Sequence, residues 1–250
     1  MKYTVITGAS SGIGYETALA FAARGKNVIL VARRLEKLEE LKSTIQGLNP
    51  SVDVIVRTSD LSDTEQAYTL YNHLKEHQIE TWINNAGLGE SAFVADHHLG
   101  KVQTMLRLNI EALTILSTLY VRDYADVEGA QLINVSSALG YVIAVGSVAY
   151  SASKYYVSAF TEGLAKELEL KGAKLKAKVL APAITETEFL NKSLDTEAFD
   201  FKANMSNYHT AKEMAGFMVN LYDNDEVVGM VDHNYAFNRR DPIYPILSEF

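Results

Sequence analysis

Residues 3–14 read Tyr-Thr-Val-Ile-Thr-Gly-Ala-Ser-Ser-Gly-Ile-Gly, and a stretch of helical period opens at Gly12 and continues to Arg24. A β-rich run from Tyr3 to Thr7 thus passes straight into Gly8, Ala9, Ser10, Ser11, Gly12, Ile13 and Gly14. A strand, a glycine-rich turn and a helix N-terminus together make a pyrophosphate site. Glycines let the backbone approach the ligand closely, and the free N–H groups and helix dipole meet its negative charge. The spacing is GxxxGxG, which by itself also suits any tight turn; the strand before it and the helix after it give it meaning.

Outward from this point the same alternation repeats. Val/Ile-rich runs occur at Asn27 to Ala32, Val52 to Arg57, Thr81 to Asn84, Gln131 to Ser136, Lys174 to Leu180 and Glu226 to Val231. Their lack of polar alternation marks strands buried on both faces. Between them lie helical stretches at Leu35 to Gln46, Ser62 to His77, Lys101 to Tyr124, Ser151 to Lys171 and Thr210 to Tyr222; Ser62 with Glu65 and Thr210 with Glu213 are spaced as capping boxes. Strand alternating with helix predicts a doubly wound α/β fold: one domain over residues 1–250, with a parallel sheet of about seven strands and helices on both faces. Ligands of such folds bind beyond the carboxyl ends of the strands.

Composition sets the limits of function. With 250 residues, 48% hydrophobic, 22% charged, 15 Gly and 4 Pro, the chain has material for a sizeable core and is no low-complexity or disordered sequence. A net charge of -8 without long single-sign runs speaks against nucleic acid as a partner. No apolar run approaches the roughly 18 to 20 residues needed to span a bilayer, so no membrane partner is expected. Strand-like sequence from Lys2 leaves no room for a leader, and the absence of Cys suits a reducing compartment; the expected location is cytoplasmic.

The end of the second strand selects the dinucleotide. An acid there would bind the adenosine ribose, whereas an arginine would meet a 2′-phosphate. The sequence reads Val31, Ala32, Arg33, Arg34. Arg33 is the natural phosphate partner, and Arg34 the one more easily left to solvent. A charge-assisted hydrogen bond of roughly 1.5 to 3 kcal/mol corresponds to about a tenfold to hundredfold preference for NADP(H) over NAD(H).

A Tyr-x-x-x-Lys spacing puts a phenol and a cation on one helix face, where the cation can lower the phenol pKa. Three such pairs occur: Tyr71 with Lys75, Tyr150 with Lys154, and Tyr208 with Lys212. Only Tyr150 opens a helix in a βα connection with hydroxyls upstream, at Ser136 and Ser137.

The sequence resembles the short-chain dehydrogenase/reductase family over essentially its whole length. The matching stretches are TGASSGIG at Thr7 to Gly14, SDL at Ser59 to Leu61, NNAG at Asn84 to Gly87, Asn109 in LRLNIEA, NVSS at Asn134 to Ser137 and YSASK at Tyr150 to Lys154. The resemblance implies a Rossmann-like fold and an NAD(P)-dependent oxidoreductase acting on a carbonyl or alcohol. It implies a catalytic tetrad of Asn109, Ser137, Tyr150 and Lys154, with Tyr150 as general acid or base. It gives Lys154 a bond to the nicotinamide ribose, and Asn109 a local helix distortion and a proton-relay water. It also places Asp60 and Leu61 beside the adenine, has Asn85, Ala86 and Gly87 line the cofactor, and seats Pro182 and Thr187 near the carboxamide. A homodimer or homotetramer, formed partly through the helix that begins near Tyr150, is implied as well. The alternative is a catalytically idle dinucleotide-binding sensor or scaffold, which would have no need of Ser137 and Tyr150.

Two departures from the family pattern stand out. Ala183 follows Pro182 where Gly is usual, a less permissive backbone. Asp232 is followed by His233 and Asn234 rather than two glycines, and an aromatic tail with Tyr235, Phe237 and Tyr244 runs to Phe250. That tail either caps the pocket or crosses to another subunit; the sequence does not choose. The paired histidines, His73 with His77 and His97 with His98, lack further ligands, and no metal is expected. The expected lid, Ile184 to Tyr208, mixes Phe189, Leu190, Phe199, Phe201 and Met205 with five acids against Lys192 and Lys202. With Tyr141, Ile143 and Val145 it predicts a small-molecule substrate that is neutral and partly apolar.

Overall fold

Strands without polar alternation must be covered on both faces, and the computed structural model, which describes residues 1–247, shows how. The strands are β1 (Lys2–Thr7), β2 (Asn27–Ala32), β3 (Val54–Thr58), β4 (Gln78–Asn84), β5 (Gln131–Val135), β6 (Lys176–Ala181), β7 (Thr185–Glu186), β8 (His209–Thr210), β9 (Val228–Val231) and β10 (Phe237–Arg240). The helices are α1 (Gly12–Ala23), α2 (Leu35–Leu48), α3 (Thr64–Leu74), α4 (Leu99–Leu106), α5 (Leu113–Tyr124), α6 (Val148–Leu170), α7 (Glu188–Ser193), α8 (Phe201–Asn204) and α9 (Ala211–Tyr222). Eight strands form one sheet in the order β10-β9-β6-β5-β4-β1-β2-β3, parallel except for β10 against β9. The strand order reverses between β1 and β4, which opens the crevice that such sheets use for dinucleotides.

Two apolar layers sandwich the sheet. Ile6, Phe21, Leu38, Leu41, Met218 and Leu221 pack on the face covered by α1, α2 and α9. Val5, Tyr71, Leu74, Trp82, Leu116 and Tyr120 pack on the face of α3 and α5. Between β4, β5 and the helices runs a buried polar chain. Asn84 accepts from Trp82 Nε1 at 2.9 Å and donates to Asn134 at 2.9 Å, and Asn134 donates to Thr161 at 2.9 Å. The Asn of two motif stretches therefore ties strands to α6 from inside, where unpaired amides would be costly.

The structure adds to and corrects the sequence reading. An eighth strand, β10, and the pair β7–β8, two residues each, escape the pattern. The helix starting near residue 62 is capped by Asp63, whose side chain accepts from Glu65 N, so no Ser62–Glu65 box forms. Ser62 instead donates through N and Oγ to Asp60 Oδ1, an Asx turn that competes for the same hydroxyl. The Thr210–Glu213 box is present with both of its bonds. Between α4 and α5 the chain forms a π-helical segment, Arg107–Ala112. The tail turns back onto its own chain: Tyr244 stacks on Tyr141 with centroids 5.4 Å apart. Phe250 lies outside the described residues.

Candidate active site

The glycine loop closes against the neighbouring strand. Gly8 and Gly12 have φ of 69° and 57°, conformations that L side chains avoid. A Cβ on Gly8 would sit 2.9 Å from Ala86 Cα. Thr7 organises this crossing: its hydroxyl accepts from the backbone N of Asn85 and of Ala86, each at 3.0 Å, and Asn85 Nδ2 donates to Thr7 O at 2.9 Å. Ser11 enters α1 in extended conformation without a side-chain cap, and the first turn holds no acid, so nothing there competes with an anion. This cradle fits a pyrophosphate. Thr187 lies across it, its Cγ2 3.0 Å from where a Gly12 Cβ would be.

The two arginines at the end of β2 have different partners. Arg33 is 57% exposed and only 4.0 Å from Asp60 Oδ2, which leaves its guanidinium fork available. Arg34 is not left to solvent. Its Nε and Nη2 donate to Ser10 Oγ at 3.3 and 3.2 Å, and its Nη1 pairs with Glu188 at 3.0 Å. The Leu61 side chain is buried in the core on the α3 side, so only its backbone faces outward chemistry.

The four residues of the expected tetrad converge beyond the ends of β4 and β5. Ser137, just past β5, accepts from Leu139 N at 3.1 Å. Tyr150 and Lys154 lie one turn apart at the start of α6, with Lys154 Nζ 5.8 Å from the Tyr150 ring centroid. Lys154 is buried and donates to the Val135 carbonyl at 2.9 Å. Asn109 sits in the π-helical segment, where its Oδ1 accepts from Leu88 N and its Nδ2 donates to Leu88 O, each at 2.9 Å. A Cβ on Gly87 would be 3.3 Å from Asn109 Oδ1 and 3.6 Å from Lys154 Nζ, so these two groups flank one glycine. Pro182 accepts from Ala138 N at 2.7 Å, and Ala183 is not among the residues of positive φ, so its Cβ costs the backbone nothing.

Burial sets the direction at the phenol of this site. Burial pushes Tyr150 up to about 12, and the hydrogen bond with Ser137 is what pulls it back. Burial also pushes Lys154 down to about 8. The physical reason is dehydration of both groups: Lys154 is buried, donates to the Val135 carbonyl, and its Nζ lies 5.8 Å from the Tyr150 ring centroid. At neutral pH the site therefore holds a neutral phenol ready to donate.

Comparison with known proteins places this arrangement. Residues 2–198 match the family described as short chain dehydrogenase. The chain belongs to this family. A sulfoacetaldehyde reductase of Chromohalobacter salexigens is 38% identical over 189 residues, covering 74% of this chain and 72% of the relative. A short-chain dehydrogenase from Sphingobium yanoikuyae in complex with NADPH superposes with a TM-score of 0.84 at 27% identity, covering 92% and 87% of the two chains. A bulky-bulky ketone specific alcohol dehydrogenase from Comamonas testosteroni gives 0.79 at 26% identity, covering 92% and 86%. The protein is thus an NAD(P)-dependent oxidoreductase acting on CH–OH or C=O groups of small molecules. No helix among the described residues is long and apolar enough to cross a membrane.

The lid of this short-chain dehydrogenase carries residues that the sequence does not single out. β7 and β8 pair at the lid's base, Thr185 with His209 and Glu186 with Thr210. Thr187 caps α7 by accepting from Phe189 N, and Phe189 lies 5.6 Å from the Tyr150 ring. Ser193 meets Ser91 at 2.7 Å between hydroxyls. Lys101 bridges the buried Glu90 and Asp195, each at 2.9 Å. Arg34–Glu188 clasps one end of the lid helix and Lys101–Asp195 lies just beyond the other. An exposed pair such as Arg34–Glu188 contributes about 0 to 1 kcal/mol. Among these, Thr187, Phe189 and Thr210 had a sequence signal, whereas Ser91, Glu90, Lys101, Ser193 and Asp195 had none as partners of one another.

Proposed function

We propose that the chain, a single NAD(P)-binding domain over residues 1–250, is an NADP(H)-preferring carbonyl reductase of the cytoplasm with Tyr150 as its proton donor. The observation that carries this reading is the meeting of Ser137, Tyr150 and Lys154 beside a glycine cradle bordered by Arg33 and Arg34. When bound, the nicotinamide supplies the hydride. Ser137 orients the substrate oxygen with its hydroxyl and stabilises the charge that develops there. Tyr150, neutral at pH 7, gives its phenolic proton to that oxygen. Lys154 holds the nicotinamide ribose and, as a cation beside the ring, favours the phenolate left behind. Asn109, in the π-helical segment, holds a water that returns a proton toward Lys154.

Arg33 and Arg34 favour a 2′-phosphate, and no carboxylate occupies the end of β2. Gly8, Ser10, Ser11, Gly12, Ile13 and Gly14 hold the pyrophosphate, Asp60 and Leu61 the adenine side, Asn85, Ala86 and Gly87 the middle, and Pro182 and Thr187 the carboxamide. Phe189 against Tyr150, together with exposed Val142, Ile143 and Val145, makes an apolar approach to the site. A neutral, partly apolar ketone or aldehyde fits it best. A dimer or tetramer through α6 would cover the exposed aromatic ring of Tyr156 on that helix; light scattering that finds only monomer at micromolar concentration contradicts it.

A fluorescence titration with NADPH and NADH in parallel tests the cofactor reading. Binding about tenfold or more tighter for NADPH supports it, and equal or reversed preference overturns the role of the arginines. Oxidation of NADPH with benzaldehyde, acetophenone and sulfoacetaldehyde then tests the substrate reading, since turnover of the anionic aldehyde alone contradicts a neutral substrate.

A further inference from the structure

The C-terminal strap is joined to the loop that carries Ser137 through one buried carboxylate. Glu162, on α6 three turns beyond Tyr150, has no solvent-exposed surface although it is an acid in a helix interior. Its Oε1 accepts the Tyr141 hydroxyl at 2.6 Å. Its Oε2 accepts two backbone amides of the tail, Ile243 N at 2.6 Å and Tyr244 N at 2.9 Å. A buried carboxylate with three donors is satisfied, and none of the three can leave without exposing it to a large penalty.

The tail returns a second and a third contact to the same turn. The Tyr244 ring stacks on Tyr141, and the Tyr244 hydroxyl donates to the Gly140 carbonyl. Gly140 and Tyr141 belong to the turn that follows Ser137. Gly140 N donates to Ser137 O at 2.8 Å, and Leu139 N donates to the Ser137 hydroxyl at 3.1 Å. The other side of the turn is fixed by Ala138 N on Pro182 O. The turn is therefore held at one end by β6's exit and at the other by the strap.

We propose that Glu162 and Tyr244 are positioning residues: through Tyr141 and Gly140 the C-terminal strap sets the place of the Ser137 hydroxyl, making the tail a working part of the active site. This rests on the reading of Ser137 as the partner of the substrate oxygen. Hydride and proton transfer need reacting atoms held to a fraction of an ångström, and a displacement of about 1 Å costs about 10²-fold. None of the strap's hydrogen bonds reaches the glycine loop, Arg33 or Arg34, where the pyrophosphate and 2′-phosphate would be held, so the effect falls on turnover rather than on NADPH binding.

The test uses the full chain with Tyr244→Ala, Tyr244→Phe, Glu162→Gln and Ser137→Ala, read by NADPH oxidation with the best of the three carbonyl probes, NADPH fluorescence and amide hydrogen exchange. Tyr244→Ala is expected to speed exchange at residues 138–141 by about tenfold or more, to lower kcat by about 10- to 10²-fold and to leave NADPH affinity within about twofold. Tyr244→Phe, which keeps the stack, recovers most of kcat, and Glu162→Gln falls between. Wild-type exchange at 138–141 in Tyr244→Ala overturns the proposal, with or without turnover. Unchanged kcat in Tyr244→Ala while Ser137→Ala loses activity overturns it too. Wild-type activity in Ser137→Ala overturns instead the reading of Ser137 on which it rests.

Discussion

Two Tyr-x-x-x-Lys pairs in this molecule share a spacing, a lysine Nζ 5.6 and 5.8 Å from the phenol ring and a phenol pKa raised by burial, yet they differ in their partners. At Tyr71–Lys75 the phenol is buried, donates to Asp123 at 2.9 Å and to the Leu119 carbonyl at 3.0 Å, and has its pKa raised by burial and by that carboxylate. Its lysine is on the surface, 3.8 Å from the same Asp123. At Tyr150–Lys154 the lysine is buried instead, the phenol meets Ser137, and both lie at the end of the sheet beside the glycine cradle. Helix spacing fixes only which side chains share a face. What faces that helix decides whether the pair is a rivet or an acid.

The comparison can be broken most severely at Lys154. Lys154→Met, a change of similar volume, should cut kcat by about 10² to 10⁴-fold, whereas Lys75→Met should leave kcat within about twofold. Equal effects at the two sites erase the distinction. Next in size is Ser137→Ala, expected to cost about 10² to 10³-fold in kcat by removing a donor to the developing oxyanion. Arg33→Ala should weaken NADPH by about 10- to 10²-fold and NADH little; equal loss of both places the 2′-phosphate elsewhere.

The pH dependence sharpens the contrast. Carbonyl reduction needs Tyr150 protonated and Lys154 charged, so its rate should be level at neutral pH and fall as Lys154 loses its proton around pH 8. The stability effect has the opposite sign. Lys154 has a folded pKa of about 8 against an ordinary lysine value of about 10.5. Between these values the unfolded chain binds more protons, so this group's contribution to stability rises with pH across that window and its penalty is complete below it. Lys154→Met should abolish that rise relative to wild type in urea melts at pH 7.5 and 9.5. Smallest of all, Tyr71→Phe should leave kcat unchanged and lower stability by about 1 to 2 kcal/mol, as thermal melts would show.

How much of this was legible in the sequence follows physical range. The buried strands and their helices were, because Val/Ile runs without polar alternation have one reading. Strand β10 was not: Phe-Asn-Arg-Arg is an edge strand, and edges are charged to discourage pairing. The cap at Asp63 was hidden because Asp60, Ser62 and Asp63 offer competing local bonds. The glycine cradle and the four tetrad positions came with their motifs, as neighbours in sequence or by family resemblance. Arg34 was expected at the solvent, yet its partner Glu188 lies in the lid. Glu162 gave no signal, because its partners are on the tail and in the Ser137 loop. Long-range polar partners are set by tertiary packing, which no local pattern records.

The proton donor is tested most directly by Tyr150→Phe, followed by NADPH fluorescence and by NADPH oxidation with a carbonyl that the wild type reduces. NADPH affinity within about twofold of wild type, with turnover lower by about 10² to 10⁴-fold, is the predicted result. Near-normal turnover would contradict it, because the hydroxyl removed is the only atom by which the phenol can serve as the acid.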